Sequence, residues 1–272
     1  MTVFSDDVLD LGGSSSEIWA GDLSRGTLTR LSTTGQATSP VWSHNGRRVC
    51  YDSGSEVFCQ AADGSGAAQA LFKVDGLTNA RPFGRDDTLM LLETRGPKTG
   101  DDISIATIGP PVETRPLLNR AYSESAPTVS ADGRWLAYQS DESGRAEVYV
   151  RPFPAVDQER WTISTGGGTE PRWARDGKEL FFTVRDGGWT TPGVLMSVPV
   201  RPGATFVPGP PTPIMKIPAG ASEAYDVAPD GRFLFHFQRS TRAGEQSPRQ
   251  EIIVVQNWFE ELKVRVPTGV AK

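Results

Sequence analysis

The side chains with most capacity for chemistry in this 272-residue chain are a set of carboxylates at related places. Glu124, Glu170 and Glu223 each stand at the head of a short β-rich run, and Asp226 lies just inside the last of these runs. Ser39 and Asn79 hold similar places in two further runs, with Arg81 and Arg172 close by. Carboxylates and an amide gathered around one axis can hold a hard cation such as Ca2+, which takes roughly six to eight oxygens. Such a cation polarises an ester, lactone or phosphotriester and activates water. On that reading Glu124, Glu170, Glu223 and Asp226 are metal ligands in a promiscuous hydrolase. The arginines point to another reading, in which Arg81 and Arg172 pair the carboxylates and no cofactor is needed. Ser39, Asn79, Arg81, Glu124, Glu170, Arg172, Glu223 and Asp226 then line a salt-bridged mouth that binds a protein, peptide or small molecule without turning it over.

Other chemistry is sparse. His44 sits in a turn and His236 in a β-rich run, and neither has a partner at a catalytic spacing. There is no HExxH helix, no GxSxG elbow and no P-loop. Gly166-Gly167-Gly168 precedes a strand rather than a helix N-terminus, so it reads as a linker and not as a phosphate cradle.

The elements that place these residues are set by a repeat. Ser125–Arg134 reads SAPTVSADGR, and matching stretches are Ser39–Arg47 (SPVWSHNGR), Glu170–Lys178 (EPRWARDGK) and Ala224–Arg232 (AYDVAPDGR). Ala80–Thr88 (ARPFGRDDT) is a degenerate copy. Each carries Asn-Gly, Asp-Gly or a relic of it between two β-rich runs, the pattern of a type I′ hairpin. The period is roughly 40 to 54 residues, about one four-stranded propeller blade.

After each turn the order is the same. Second strands are expected at 48–51, 89–92, 135–139, 180–184 and 233–237. Third strands are expected at 57–60, 103–107, 148–151, 195–200 and 252–256, and weaker fourth strands at 70–73, 115–118 and 160–164. The N-terminus holds a partial copy: a second strand in 3–11, a third over 17–23 and a fourth over 27–32. The predicted architecture is all-β, a six-bladed β-propeller in one domain. It has a partial blade over 1–32 and blades over 38–73, 79–118, 125–164, 169–214 and 223–256. Asn257–Lys263 (NWFEELK) is a short helix within a C-terminal clamp over 257–267. The incomplete blade either closes with the other chain end or makes a homodimer by strand exchange. The inserts 185–192 and 199–213 read as irregular, with Trp189 in the first.

These blades resemble the TolB-like, WD40-like β-propeller repeats of bacteria. Glu17–Ser32, Ala61–Gly66 (AADGSG), Glu147–Pro154 (EVYVRPFP), Ser164–Arg175 (STGGGTEPRWAR) and Ile253–Pro267 (IVVQNWFEELKVRVP) are similar to the propeller that follows the kinase domain and membrane span of many bacterial serine/threonine kinases. The resemblance covers nearly the whole chain and implies a sensor or interaction module without a catalytic motif. Neither a kinase domain nor a membrane span is present in this sequence. Six-bladed lactonases and phosphotriesterases share the architecture, but their motifs are missing here, and architecture alone does not carry a function.

Composition narrows the partners. A net charge of −5 and a pI near 5.2 speak against nucleic acid or an anionic membrane. No apolar run approaches the roughly 18 residues of a transmembrane helix. The start, MTVFSDDVLDLGGSSS, has no basic region followed by an apolar core. As it stands the sequence is expected to be soluble and cytoplasmic, with its full-length relatives extracytoplasmic. Cys50 and Cys59 lie on either side of Gly54 and can face each other across a hairpin. They are either a disulfide, in an oxidising compartment, or two reduced and half-buried thiols, the simpler expectation. Trp42 and Trp173 occupy matching positions and are expected to pack between blades.

Overall fold

The computed structural model describes residues 2–10, 13–22, 25–83, 87–96, 100–187, 191–201, 203–228, 231–238 and 250–255. The chain forms two compact units, Met1–Trp161 and Thr162–Lys272. Every regular element among the described residues is a strand, in six antiparallel sheets.

The first unit opens with β1 (Thr2–Asp10), β2 (Gly13–Asp22) and β3 (Thr27–Arg30), in that order across one sheet. The next sheet is β4 (Ala37–Trp42), β5 (Arg48–Ser53), β6 (Glu56–Ala61) and β7 (Gln69–Lys73). Then come β8 (Leu77–Phe83), β9 (Leu89–Gly96), β10 (Gly100–Thr107) and β11 (Glu113–Leu118). The fourth sheet is β12 (Glu124–Val129), β13 (Trp135–Ser140), β14 (Glu147–Pro152) and β15 (Trp161–Thr162), and the division between units falls within β15. The second unit holds β16 (Thr169–Trp173), β17 (Glu179–Arg185) and β18 (Gly193–Arg201), with β19 (Val207–Pro208) and β20 (Thr212–Ile217) both paired to β18. Its other sheet is β21 (Ala221–Val227), β22 (Phe233–Gln238) and β23 (Gln250–Val255).

The central strands are apolar on both faces because each sheet is covered on both sides. Val49 and Tyr51 of β5 pack with Ile18, Ala20 and Leu31 of the preceding sheet. Cys50, between them in sequence, faces the other way, toward Ala80, Met90 and Leu92. Leu91 in turn joins Leu136, Tyr138 and Tyr149 of the sheet after. The strand period of two thus divides each strand between two cores. In the second unit Phe181 and Leu195 meet Tyr225, Phe233 and Phe235 in the same manner. Trp42 packs between sheets as expected. Trp173 is buried edge-on to Phe206, at 6.2 Å between ring centres.

The turn that marks each repeat differs from the expected type I′. The bond that closes it runs from the Gly133 N–H to the Ser130 carbonyl at 2.8 Å, and likewise Gly46 to Ser43, Gly177 to Ala174 and Gly231 to Ala228. Glycine therefore sits at the fourth position with φ near +70°, as +69° at Gly46 and +75° at Gly133. Asn45, Asp132 and Asp176 keep negative φ. Their side-chain oxygens instead accept from the N–H two residues on: Arg47 at 2.9 Å, Arg134 at 3.1 Å and Lys178 at 3.0 Å. This is an Asx turn leading into a glycine bulge, not two left-handed central residues. The serine that opens the motif closes the loop. Ser130 Oγ donates to Asp132 at 2.6 Å and accepts from the Trp135 N–H at 3.1 Å.

Three further expectations are corrected. The stretch 199–213 is not wholly irregular: Pro199 lies within β18, and β19 and β20 follow. The cysteines are bridged, not reduced. Cys50 and Cys59 are directly opposed on β5 and β6, with Cα atoms 4.0 Å apart and both side chains fully buried. The hairpin joining the two strands turns at Gly54, φ +64°. Finally, the fourth strand of the fifth blade runs to Ile217, past the expected limit of 214. The helix over 257–263, the clamp over 257–267 and Trp189 lie outside the described residues. Gly168, in the linker before β16, is required by packing: a Cβ there would stand 2.4 Å from Ser164 Oγ.

Candidate functional site

Each first strand carries one irregularity, and the candidate residues cluster on it. The register of β4 against β5 slips between Thr38 and Val41, that of β12 between Ser125 and Thr128, and that of β16 between Thr169 and Arg172. At each slip the residue before proline is left-handed: Ser39 at φ 50°, Ala126 at 50° and Glu170 at 51°. A residue ahead of proline ordinarily prefers extended backbone. Holding a non-glycine residue in this region costs on the order of 1–3 kcal/mol, which the surrounding structure must offset. The bulge re-aims the side chains at the start of the strand.

In the first unit these side chains form one network. Ser39 Oγ donates to Asn79 Oδ1 at 2.7 Å, and Asn79 Nδ2 donates to Glu93 at 2.6 Å. The Arg81 guanidinium pairs with the same carboxylate at 2.6 Å. Glu93, 1% exposed, also accepts the backbone N–H of Ala126, so it joins β9 to the bulge of β12. Asp52 does the same one sheet earlier: it accepts the Ala80 N–H at 3.0 Å and the hydroxyl of Thr38. Burial pushes the Asp52 carboxyl above its ordinary pKa, outweighing those hydrogen bonds, which pull it down. Sequence reasoning found Ser39, Asn79 and Arg81 but missed Glu93 and Asp52. A signal was there: the fifth place of the second strand is polar in four copies, Asp52, Glu93, Gln139 and Thr183, within otherwise apolar runs. The last two serve the same place, Gln139 donating to Ser125 Oγ at 3.0 Å and Thr183 lying 2.9 Å from Thr169 Oγ1.

Glu124 stands apart from this network. It opens β12 opposite Ser140 and is 1% exposed. It accepts the backbone N–H of Arg120 at 3.3 Å. Burial foremost, with the Asp102 charge adding and the Arg120 hydrogen bond opposing, pushes its carboxyl up to about 7.

In the second unit Glu170 holds Arg172 at 2.8 Å, and Arg172 also donates to the Pro171 carbonyl at 2.8 Å. The guanidinium lies over the Tyr225 ring, 5.9 Å from its centre. Burial raises the Tyr225 hydroxyl well above its usual pKa, so it stays neutral, and it has no hydrogen-bond partner among the described residues. Asp226 is exposed and accepts the N–H of Val227 at 2.8 Å. The side chains of Glu223 and His236 are not among those described. The structure thus groups Ser39, Asn79 and Arg81 in one unit, and Glu170 and Arg172 in the other.

No set of three or more His, Cys, Asp or Glu side chains positioned to hold a metal occurs among the described residues. Glu93 and Glu170 each already hold a guanidinium, the positive charge that a divalent cation would otherwise supply. No helix is long and apolar enough to cross a membrane, again among the described residues.

No family model matches the sequence, and no curated protein matches it. Solved structures do. Putative TolB from Agrobacterium tumefaciens aligns over 89% of this chain and 86% of its own, at 16% identity and a TM-score of 0.66. TolB from Acinetobacter baumannii aligns over 88% of this chain at 15% identity and a TM-score of 0.64, and the chain spans 57% of that protein's length. An oligogalacturonate lyase in complex with manganese aligns over 89% of this chain and 79% of its own, at 12% identity and a TM-score of 0.58. At these identities the likeness establishes the fold and nothing finer: the chain has the TolB-like, WD40-like β-propeller fold.

Proposed function

We propose that this chain is a non-catalytic propeller module that senses or binds a protein, peptide or small-molecule ligand, and that it works as part of a larger membrane kinase-like protein. The observation that carries this is the pairing at the first-strand bulges. Arg81 with Glu93 and Arg172 with Glu170 are closed on each other, and the remaining carboxylate oxygens hold backbone N–H groups. Groups so engaged orient a rigid surface and leave neither a free nucleophile nor an open coordination site. The kinase connection rests on the sequence resemblance. The buried Cys50–Cys59 bridge supports maturation in an oxidising, extracytoplasmic compartment, because cytosolic thiols are kept reduced. The outer strands left in the three-stranded sheets offer a route to a homodimer, which light scattering on the purified protein would read.

The competing reading is metal-assisted hydrolysis, with Ca2+ or another divalent ion on Glu124, Glu170, Glu223 and Asp226. Glu124 is the group that favours it, since a carboxyl poised near 7 suits general acid–base work. The deciding experiment is hydrolysis of a chromogenic ester and a chromogenic phosphotriester, with and without EDTA. The binding-module reading expects no turnover above buffer. Turnover that EDTA abolishes would overturn it.

A further inference from the structure

The Glu124 carboxyl is sealed within the first unit and has no ion-pair partner among the described residues. Its roof is the short loop between β11 and β12. Residues 119–122 are all exposed, and Tyr122 is 44% exposed, one of the few large apolar side chains in that state. The two ends of this loop are held differently. At Ser123 it is fastened firmly: the Ser123 N–H donates to Asp141 at 2.9 Å, and Asp101 N–H donates to Ser123 Oγ at 3.3 Å. At Arg120 it is held by the long 3.3 Å bond to Glu124 and by an exposed pair with Asp157 at 3.1 Å. Exposed pairs of that kind contribute little.

The charged and titratable groups around the carboxyl leave it without a counter-charge. Asp102 on β10 repels it. Glu93 on β9 is occupied with Arg81 of β8. Glu147 on β14 is held by Arg145. The Arg151 guanidinium donates to the Tyr138 hydroxyl at 2.8 Å and to the Val156 carbonyl at 2.7 Å.

We propose that residues 119–122 form a proton-controlled cover over Glu124, shut while the carboxyl carries its proton and opening as the carboxyl ionises. Ser123, pinned to Asp141, is the hinge. A buried acid without a partner gains hydration when its cover lifts, and it gains most once charged. In the shut state the carboxyl titrates near 7, and in a hydrated state near its ordinary 4.5. The ratio of open to shut therefore climbs about tenfold per pH unit between those values and levels off above the higher one. Opening displaces Arg120 and Tyr122 together, so whatever docks on this loop would do so in a pH-dependent way. The cover operates whether or not the binding role proposed above is correct.

Hydrogen exchange at the Arg120 amide tests this, corrected for the intrinsic pH dependence of exchange. The expected result is a loss of protection of about tenfold per pH unit from pH 5 to pH 7 and a plateau beyond, with Glu124→Gln flat across the range. Parallel curves for wild type and variant would overturn the proposal. Should Glu124→Gln fail to fold, the carboxyl carbon of Glu124 is followed by NMR in the wild-type protein. A midpoint near 7, tracked by the Arg120 and Tyr122 amides, sustains the cover, and a midpoint near 4.5 overturns it.

Discussion

The Arg81 guanidinium lies 2.6 Å from the Glu93 carboxylate, and that one carboxylate also holds the Asn79 amide and the Ala126 N–H. Three first strands, β4, β8 and β12, are thereby tied through a single side chain. Removing a partner from such a buried pair costs more than the pair contributes, because the remaining charge is left uncompensated. Glu93→Ala should destabilise the first unit by about 3 kcal/mol, read as a lower urea midpoint. The double variant Arg81→Met with Glu93→Leu should recover much of that loss. If Glu93→Ala alone shifts the midpoint by less than the error, the carboxylate does not hold the three strands together.

The Cys50–Cys59 bridge closes a short loop, with a sequence separation of 9. Restricting so small a loop in the unfolded chain is worth about 2.5 kcal/mol by the chain-entropy estimate. Cys50→Ala with Cys59→Ala should lower stability by about that amount and remove the difference between oxidised and reduced samples. Protein secreted to an oxidising compartment should carry no titratable thiol when denatured. A full complement of free thiols in that sample would remove the support for extracytoplasmic maturation.

Stability should fall as pH rises through the Glu124 range. The folded-state pKa, about 7, lies above the ordinary 4.5, so the folded protein binds the proton more tightly than the unfolded chain does. The favourable contribution is fully present below 4.5 and is lost as pH climbs to 7, up to about 3 kcal/mol in all. Denaturant melts at pH 5 and pH 8 should differ for the wild type. Glu124→Gln, which carries no charge at either pH, should be the more stable of the two at pH 8. An equal response in both proteins would place the pH dependence on other groups.

What could be read from the sequence follows from what repeats. The five copies of the turn, the second strands and the third strands are legible because each copy must solve the same packing problem between two sheets. Thr212–Ile217 was not legible, since its prolines and polar flanks hide a strand that is specified by pairing with β18 rather than by its own pattern. Ser39, Asn79 and Arg81 could be placed together from their positions in the repeat. Glu93 and Asp52 could not, because a carboxylate inside an apolar run reads as an exposed face until the adjacent bulge shows what it holds. The turn geometry failed for a similar reason: Asp-Gly is compatible with two turns, and the serine two residues before the aspartate selects between them.

That serine yields the last prediction. Ser130 is buried and serves as the hub of its turn, donating to Asp132 at 2.6 Å and accepting from the Trp135 N–H at 3.1 Å. Ser130→Ala removes the acceptor from a buried N–H, at a cost of about 1–3 kcal/mol for the orphaned group. The matching change Ser43→Ala should behave alike, since Ser43 Oγ accepts the Arg48 N–H at 2.9 Å. Ala174, the same place in the fifth blade, already lacks the hydroxyl, so Ala174→Ser offers the converse. It should stabilise the second unit by about 0.5–1.5 kcal/mol if the new hydroxyl reaches both Asp176 and the strand that follows. Thermal melts of the three variants separate the outcomes. A loss at Ser130 and Ser43 with a gain at Ala174 assigns the Ser-x-Asp-Gly motif to turn stability, and no change at any of them would mean that the Asx turn stands without its serine.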